Sequence, residues 1–269
     1  MSDVAGLRAH LSTYGRSLLG YSGGVDSAVL AVACRLELGD RGFLAVIGRS
    51  DSYPASQYEG AVSIAGTFDI PLLEVSTREM EDPNYVSNPA NRCYFCKSEL
   101  WRRLGEVALE RGFETILDGT NADDLREHRP GARAAGEQQV RSPFVELGWT
   151  KAMVRDAARE LGIPIWDAPA QPCLSSRVEY GLSITPERLR QVERGEAFLR
   201  SLGIRGDLRV RHHGPRARLE VTPSDMSGLE ERWVEVEHFF SGLGFESVEL
   251  DPLGYRRGSL LLTLPVLDR

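Results

Sequence analysis

Short apolar runs alternate with helix-like patterns through roughly the first 170 residues, and this order constrains the fold more than any other feature. Strands that alternate with helices pair in parallel and are covered on both faces. The sequence therefore predicts an α/β fold: a Rossmann-like parallel sheet with helices on both faces. The predicted strands are "RSLLGY" (16–21), "GFLAVIG" (42–48), "PLLEVST" (71–77) and "FETILDG" (113–119). The predicted helices lie at about 26–38, 54–67, 96–111 and 150–162.

The pattern changes beyond a proline-rich segment, "PIWDAPAQPCLSSRVEYG". Two helices are predicted there, at about 185–202 and 224–241, with strands in "DLRVRHHG", "ARLEVTP", "SVELD" and "GSLLLTL". We expect a second, smaller α+β domain, and place the two domains at 1–170 and 171–269. Residues 126–143 form a polar stretch that is long for an α/β connection, which predicts a mobile lid or a partly disordered loop.

Composition excludes several classes of partner. The 269 residues include 39 acidic and 32 basic side chains, a formal charge of -7, so we expect no nucleic acid partner. No segment has ~18 uninterrupted apolar residues and the first residues lack the apolar core of a signal peptide, so we expect a cytoplasmic protein with no membrane partner. In a reducing compartment the four cysteines point to metal ligation or sulfur chemistry rather than disulfides.

The stretch "SGGVDS" (residues 22–27) lies between the first predicted strand and the first predicted helix. Gly23 and Gly24 let the backbone approach an anion, and the amides of the first helical turn donate to it. Asp26 would repel a phosphate unless a divalent cation lies between them, which predicts Mg²⁺. The alternative is a glycine-rich turn with capping side chains. The candidate phosphate-binding residues are Ser22, Gly23, Gly24, Val25, Asp26 and Ser27.

This hexamer resembles the signature of the PP-loop ATP pyrophosphatases, the adenylating superfamily that includes NAD synthetases, GMP synthetases and tRNA thiolases. The resemblance implies that the β and γ phosphates of ATP lie on the loop and that a substrate oxygen attacks the α-phosphate, releasing pyrophosphate. The stretch "DGTNADDL" at the end of the fourth predicted strand fits the adenylate side of such a site and adds Gly119, Thr120 and Asn121. Thr120 or Asn121 equally suits a helix N-cap.

Three cysteines are candidates for metal ligation or sulfur chemistry. Cys93 and Cys96 form a C-x-x-C at the start of a predicted helix, and Cys173 lies in "PCLSSR". Cys34 lies in an apolar helical pattern and is predicted to be a core side chain. Three thiolates suit a [4Fe-4S] cluster with one iron open to exogenous sulfide or substrate, and a three-ligand zinc site is the alternative. Cys173 could instead be a nucleophile that the nearby Arg177 keeps as a thiolate, or a buried junction cysteine.

The stretch "DLRVRHHG" suggests a binding site for a phosphorylated substrate. The period of two in a strand puts Arg209, Arg211 and His213 on one face. Two aligned guanidinium groups suit a phosphate monoester, whereas the alternative is a solvated sheet face.

Five motifs in order resemble the LarE family of ATP-dependent sulfur transferases: "SGGVDS", "GTNADD", "HRPG" with "VRSPF", "PCLSSR" and "LRVRHHG". This family adenylates a pyridinium biscarboxylate mononucleotide and converts carboxylate to thiocarboxylate, in the synthesis of the nickel-pincer cofactor of lactate racemase. One kind of member sacrifices the sulfur of a single cysteine at the Cys173 position. The other holds a [4Fe-4S] cluster on three cysteines and takes sulfide from a donor. Because Cys93, Cys96 and Cys173 are all present, the chain is similar to the cluster kind.

The resemblance also assigns roles in the second domain, which it makes a substrate-binding and oligomerisation domain of a homo-oligomer. It places the substrate phosphate at Ser176, Arg177, Arg209 and Arg211, with Glu196 and Asp225 nearby. The candidate catalytic residues are Cys173, Asp26, Arg177, Glu196 and Asp225. Rival hypotheses are a tRNA thiolase, an amide-forming synthetase of the NAD type and a non-enzymatic metal-binding module. The first usually carries extra zinc-ribbon cysteines or a basic RNA-binding domain, and the second needs no cysteines.

Overall fold

The computed structural model describes residues 3–126, 130–169 and 171–260. The chain divides into two compact units. The first comprises Met1–Glu79 with Cys93–Gln171, and the second comprises Met80–Arg92 with Pro172–Arg269. Contiguous domain limits at 1–170 and 171–269 stay a prediction, and the structure groups Met80–Arg92 with the second unit.

The first unit is built on a four-stranded sheet in the order β3-β2-β1-β4, with every pair parallel. Its strands are β1 (Ser17–Gly20), β2 (Phe43–Arg49), β3 (Leu72–Ser76) and β4 (Thr115–Leu117). Its helices are α1 (Val4–Leu11), α2 (Val25–Gly42), α3 (Ala55–Thr67), α5 (Arg92–Arg111), α6 (Pro130–Glu137), α7 (Pro143–Glu146) and α8 (Lys151–Glu160). All four strands predicted for this unit are present.

Both faces of this sheet are buried, as expected for parallel strands joined by helices. Leu19 lies in one apolar cluster with side chains of α1, α2 and α8. Leu18 points to the opposite face and lies in a second cluster with Trp101 and Leu104 of α5. The α/β fold class is therefore confirmed. Cys34 is fully buried in the first cluster, which confirms it as a core side chain, and burial raises the pKa of its thiol.

Two details of the first unit differ from the sequence prediction. Helix α6 lies within residues 126–143, where a lid or partly disordered loop was predicted; residues 127–129 of that stretch, including His128 and Arg129 of "HRPG", lie outside the described residues. Ala134 of this helix is buried in the same apolar cluster as Trp101 and Leu104 of α5. Helix α5 begins at Arg92, four residues earlier than predicted, so Cys93 and Cys96 both lie in its first turns.

The second unit is α+β, as predicted. Its three-stranded sheet has the order β5-β6-β7, with β5 (Leu208–His213) antiparallel to β6 (Arg216–Val221), which is parallel to β7 (Ser247–Leu250). Its helices are α4 (Pro83–Val86), α9 (Pro186–Ser201), α10 (Pro223–Glu230) and α11 (Trp233–Gly242). The helix predicted at 224–241 is therefore two helices. The predicted strand "GSLLLTL" falls mainly on residues 261–269, outside the described residues.

Hydrogen bonds explain why Met80–Arg92 belongs to the second unit. The amide of Asn88 donates to the carbonyl oxygens of Glu179 and Leu182, at 2.8 and 3.1 Å. The hydroxyl of Tyr85 lies 2.6 Å from that of Ser175, and both side chains are buried. Among the helices described, none has the length and apolar character needed to cross a membrane.

Candidate active site

The loop of residues 22–27 leaves the carboxyl end of β1 and enters α2, with Gly24 at the N-cap position. Gly23 has φ of +71°, and a Cβ there would lie 2.4 Å from the Cβ of Ala61 on α3, so only glycine fits. The first amides of α2 have no acceptor within the helix. They carry the positive end of the helix dipole, which makes this turn a binding surface for an anion.

The two serines of the loop hold its shape. The Ser27 hydroxyl donates to the Gly24 carbonyl oxygen at 3.0 Å and accepts from the Ser22 amide at 3.3 Å. The Ser22 hydroxyl lies 3.2 Å from that of Ser27. Both hydroxyls therefore have partners inside the loop, and the Gly24 amide donates to the Ser22 hydroxyl at 3.4 Å. The amides of Gly23, Val25, Asp26 and Ser27 are then its main candidate donors to a ligand.

Asp26 makes an ion pair with Lys151, the first residue of α8, and accepts a hydrogen bond from the Asn121 amide at 3.2 Å. Sequence reasoning missed Lys151. The sequence did contain a signal for Lys151: it is a cation in the first turn of a predicted helix, where the helix dipole disfavours positive charge unless an anion lies nearby. The loop therefore combines backbone donors with a flexible cation and a carboxylate.

Residues after β4 reach the same edge of the sheet, because β4 pairs directly with β1. A Cβ on Gly119 would lie 3.0 Å from the Ser27 amide nitrogen, so a glycine keeps the start of α2 accessible. Thr120 donates to Asp118 through its hydroxyl at 2.8 Å. The Asn121 carboxamide oxygen accepts from the Asp123 amide at 3.0 Å, so this residue caps the following 3₁₀ turn. Asp118, which sequence reasoning did not select, fixes Thr120 in place.

In the second unit Arg177 organises the segment that carries Cys173. Its guanidinium donates twice to Glu196, at 2.9 and 3.2 Å, and also to the Cys173 carbonyl oxygen at 2.9 Å. It bonds to Pro172 O and lies 3.1 Å from the Ser176 hydroxyl oxygen. The predicted residues Cys173, Ser176, Arg177 and Glu196 therefore lie together. The guanidinium holds the backbone of Cys173, whose side chain is partly exposed.

Arg209 and Arg211 are buried, with 7 % and 5 % of their surfaces exposed, which excludes a solvated sheet face. Arg211 pairs with Glu220, whose carboxylate is fully buried, through bonds of 2.9 and 2.8 Å. Arg211 also donates to the Ser176 carbonyl oxygen at 3.1 Å. The guanidinium carbon of Arg209 lies 5.2 Å from the centre of the Tyr255 ring. Burial, with the neighbouring Arg177 charge, lowers the pKa of Arg209.

Glu220 was missed. It lies opposite Arg209 in the β5–β6 pair, and this register is known only from the structure. The hydrogen bonds described for Asp225 are local. It accepts hydrogen bonds from the Thr222 hydroxyl at 2.6 Å and from the Gly206 amide at 3.2 Å. These bonds give Asp225 a structural role at the start of α10, and its catalytic role stays a prediction.

The cysteines are divided between the two units. Cys93 is exposed and Cys96 is partly buried, one turn apart on α5 in the first unit, whereas Cys173 lies in the second. Within the described ranges, no group of three His, Cys, Asp or Glu side chains is arranged to hold a metal ion. The iron-sulfur assignment is therefore a proposal.

A parallel sheet with an anion-binding loop of this sequence after β1 defines the PP-loop class of adenylating enzymes, and the class implies ATP binding. Comparisons with known proteins agree. A family model described as NAD synthase matches residues 3–87. A glutamine-hydrolyzing GMP synthase chain from Archaeoglobus fulgidus is 25% identical, with 73% of this chain and 74% of the other covered.

Two relatives match over nearly the whole chain. An uncharacterized protein of Synechocystis is 42% identical, covering 96% of this chain and 97% of its own. A pyridinium-3,5-bisthiocarboxylic acid mononucleotide synthase of Lactiplantibacillus plantarum is 31% identical, covering 97% and 94%. The chain belongs to the LarE family and is an enzyme, a sulfurtransferase.

Proposed function

We propose that this enzyme uses ATP to adenylate a carboxylate of pyridinium-3,5-biscarboxylic acid mononucleotide and then replaces the adenylate with sulfur, giving a thiocarboxylate. The observation that carries the adenylating half is the start of α2, where backbone amides stay accessible beside Asp26 and Lys151. The substrate class follows from the relative that is named for the bisthiocarboxylic product.

In the first step, a carboxylate oxygen of the substrate attacks the α-phosphorus of ATP, and the bond to the β-phosphoryl group breaks. Pyrophosphate leaves with the bonding electrons, so negative charge grows on it in the transition state. The amides of residues 23–27 and the Lys151 ammonium are placed to stabilise that charge, which is an electrostatic role. In the second step a sulfur nucleophile attacks the acyl carbon, and AMP leaves.

Asp26 fits a magnesium ion that arrives with ATP. Mg²⁺ is usually held through one or two carboxylates together with substrate phosphates, and its chemistry here is to neutralise phosphate charge. Asp26 supplies one such carboxylate at the loop, and its partner Lys151 is a flexible cation that can turn to the phosphates. Gly119, Thr120 and Asn121 complete the adenylate side.

The substrate phosphate is assigned to the second unit, at Arg209 and Arg211 with Ser176 and Arg177. The guanidinium groups of Arg177, Arg209 and Arg211 are all buried in this unit, and those of Arg177 and Arg211 form ion pairs with Glu196 and Glu220. A dianionic phosphate monoester complements such a concentration of positive charge. Glu196 keeps Arg177 oriented through both of its oxygens.

For sulfur delivery we propose a [4Fe-4S] cluster held by Cys93, Cys96 and Cys173. The pair on α5 fits two thiolate ligands, since residues three apart lie on the same helix face. When bound, the cluster would supply a site that carries sulfide from a donor. Cys173 as a sacrificial donor is the alternative route for the same reaction.

The adenylating half is tested by pyrophosphate release in the presence of Mg²⁺ and ATP, with the pyridinium mononucleotide, tRNA or ammonium added separately. We expect pyrophosphate release when the mononucleotide is added, and none when tRNA or ammonium is added in its place. Stimulation by tRNA or ammonium instead would replace the proposal with a thiolase or an amide-forming synthetase.

The sulfur step is tested by three variants, Cys93→Ala, Cys96→Ala and Cys173→Ala, after anaerobic purification. We expect each to lose iron and transfer activity, with Cys34→Ala as the control that keeps both. Intact mass after turnover with sulfide should be unchanged. Loss of one H₂S, about 34 Da, leaving dehydroalanine at Cys173, together with full activity in Cys93→Ala, would establish the sacrificial route.

A further inference from the structure

The Ser22 carbonyl of the PP-loop accepts two side-chain hydrogen bonds. The Tyr53 hydroxyl donates to it at 2.9 Å, and the Gln57 carboxamide nitrogen donates at 2.9 Å. Tyr53 lies between β2 and α3, and Gln57 lies in the first turn of α3. Two donors from outside the loop therefore converge on one carbonyl oxygen.

The planarity of the peptide bond gives this arrangement a consequence for ligand binding. The Ser22 carbonyl and the Gly23 N–H belong to one trans peptide unit, so they point in opposite directions. A carbonyl held toward Tyr53 and Gln57 turns the Gly23 N–H away from α3. The φ of +71° at Gly23 is a left-handed conformation of the kind found where successive backbone amides turn toward an anion.

The turn that carries Tyr53 is itself anchored. The Tyr53 amide donates to the Ser50 carbonyl at 3.1 Å. The hydroxyls of Ser50 and Ser52 both donate to one oxygen of Glu79, a carboxylate that is only 2 % exposed. Its other oxygen is buried and, in the part of the chain that the structure describes, has no hydrogen-bond partner. A buried carboxylate is costly, so its bonds to both serines imply that the turn before Tyr53 is held in one conformation.

We propose that Tyr53 and Gln57 are positioning residues that orient the Ser22–Gly23 peptide toward the β and γ phosphates of ATP. The inference rests on the proposed ATP-dependent adenylation and names residues outside the loop on which it depends. Burial also raises the pKa of Tyr53, so its hydroxyl stays protonated as a donor.

Two donors to one acceptor predict redundancy. With one donor removed, the other still holds the carbonyl, so Tyr53→Phe and Gln57→Met should each weaken ATP binding by no more than about fivefold. The double variant frees the peptide and should weaken ATP binding by about a hundredfold, more than the product of the two single effects.

The measurement is calorimetric binding of Mg²⁺–ATP and of AMP to the full-length enzyme. AMP lacks the β and γ phosphates, so its affinity should be unchanged in the double variant, whereas a general loss of structure would lower both affinities. Tyr58→Phe is the matched control, because Tyr58 is on the same helix and its hydroxyl bonds to Glu74 instead of the loop. It should bind ATP as the wild type does.

If the double variant does not fold, a third variant still tests the proposal. Gln57→Glu keeps the side-chain volume but puts an acceptor against the Ser22 carbonyl, so ATP affinity should fall while AMP affinity holds. Equal losses of ATP and AMP affinity in Gln57→Glu, or unchanged ATP binding in both Gln57→Glu and the double variant, would overturn the inference and leave the proposed function standing. Wild-type enzyme that neither binds ATP nor releases pyrophosphate would overturn the function itself.

Discussion

At the scale of single residues, burial decides the protonation state of groups whose type alone does not fix it. His212 is 2 % exposed, and its Nε2 lies 2.9 Å from the Gln191 carboxamide oxygen. Burial, together with the Arg188 charge, lowers the pKa of His212 to about 4. The imidazole is therefore neutral at neutral pH and is part of the core of the second unit.

This pKa predicts how stability depends on pH. In the unfolded chain the imidazole titrates at a pKa of about 6.5. Because the folded-state pKa is lower, the unfolded state binds the proton more readily, and stability present above about pH 6.5 is lost as the pH falls toward 4. His213 adds to the same trend, since burial lowers its pKa despite the opposing Glu179 charge.

Urea unfolding at pH 7 and pH 5 measures this effect. We expect His212→Gln to have a smaller loss of unfolding free energy between these pH values than the wild type. His238→Gln, a substitution on an exposed position of α11, should keep the wild-type loss. The same loss in all three proteins would contradict the assignment to His212.

At the scale of elements, the shape of the amino end of α2 depends on Gly119, a residue outside the helix that has no side chain. Gly119 follows β4 and touches the backbone at Asp26 and Ser27, where an added Cβ would meet atoms at 3.0 to 3.2 Å. Such short contacts require a shift of a few tenths of an ångström in the first turn of α2, which carries the proposed phosphate-binding amides. The shape of this helix end therefore depends on the strand next to β1.

Gly119→Ala should lower ATP affinity more than it lowers stability. Gly119 does not have a positive φ, so alanine meets only the close contact at α2. We expect ATP affinity to fall about tenfold or more, with an unfolding free energy within ~2 kcal/mol of the wild type. Calorimetric titration and urea unfolding supply the two values.

Gly105→Ala is the control for this substitution. Gly105 lies within α5 with nothing near its Cβ position, so alanine should stabilise the protein by about 0.5–1 kcal/mol and leave ATP affinity unchanged. If Gly119→Ala and Gly105→Ala bound ATP equally well, the prediction that Gly119 shapes the loop for ATP would be wrong.

At the scale of the whole molecule, the proposed work is divided between the two units, with ATP on the first and the substrate phosphate on the second. The division has a physical basis in each sheet. The first presents backbone amides at a parallel edge, and the second presents buried guanidinium groups along β5. Variants in the two units should therefore affect different kinetic constants.

Asp26→Asn in the first unit should abolish pyrophosphate release and leave the melting temperature nearly unchanged, because its ion pair with Lys151 is partly exposed and contributes about 0–1 kcal/mol.

Arg209→Met in the second unit should raise KM for the mononucleotide at least about tenfold, with KM for ATP within about twofold. Arg209 is preferred over Arg211, whose loss would remove the closest cation from the buried Glu220 carboxylate. Equal changes in both KM values would argue for another role of β5.

The sequence by itself determined the four strands of the first unit and the long helices between them, the loop between β1 and α2, the core position of Cys34 and the placement of Cys93 with Cys96 on one helix. Each of these depends on periodicity or spacing within a short stretch, and local backbone geometry converts such spacing directly into a face or a turn. Even the α+β character of the second unit follows from its run of elements.

Only the tertiary structure decided which distant side chains meet. Lys151 reaches Asp26 across 125 positions, Glu220 neutralises Arg211, and Tyr53 and Gln57 hold the Ser22 carbonyl. These contacts depend on strand order and helix packing, which local periodicity does not encode. Helix α6 within a polar stretch has the same origin, since it packs Ala134 and Ala135 against the cluster that contains Trp101 and Leu104 of α5.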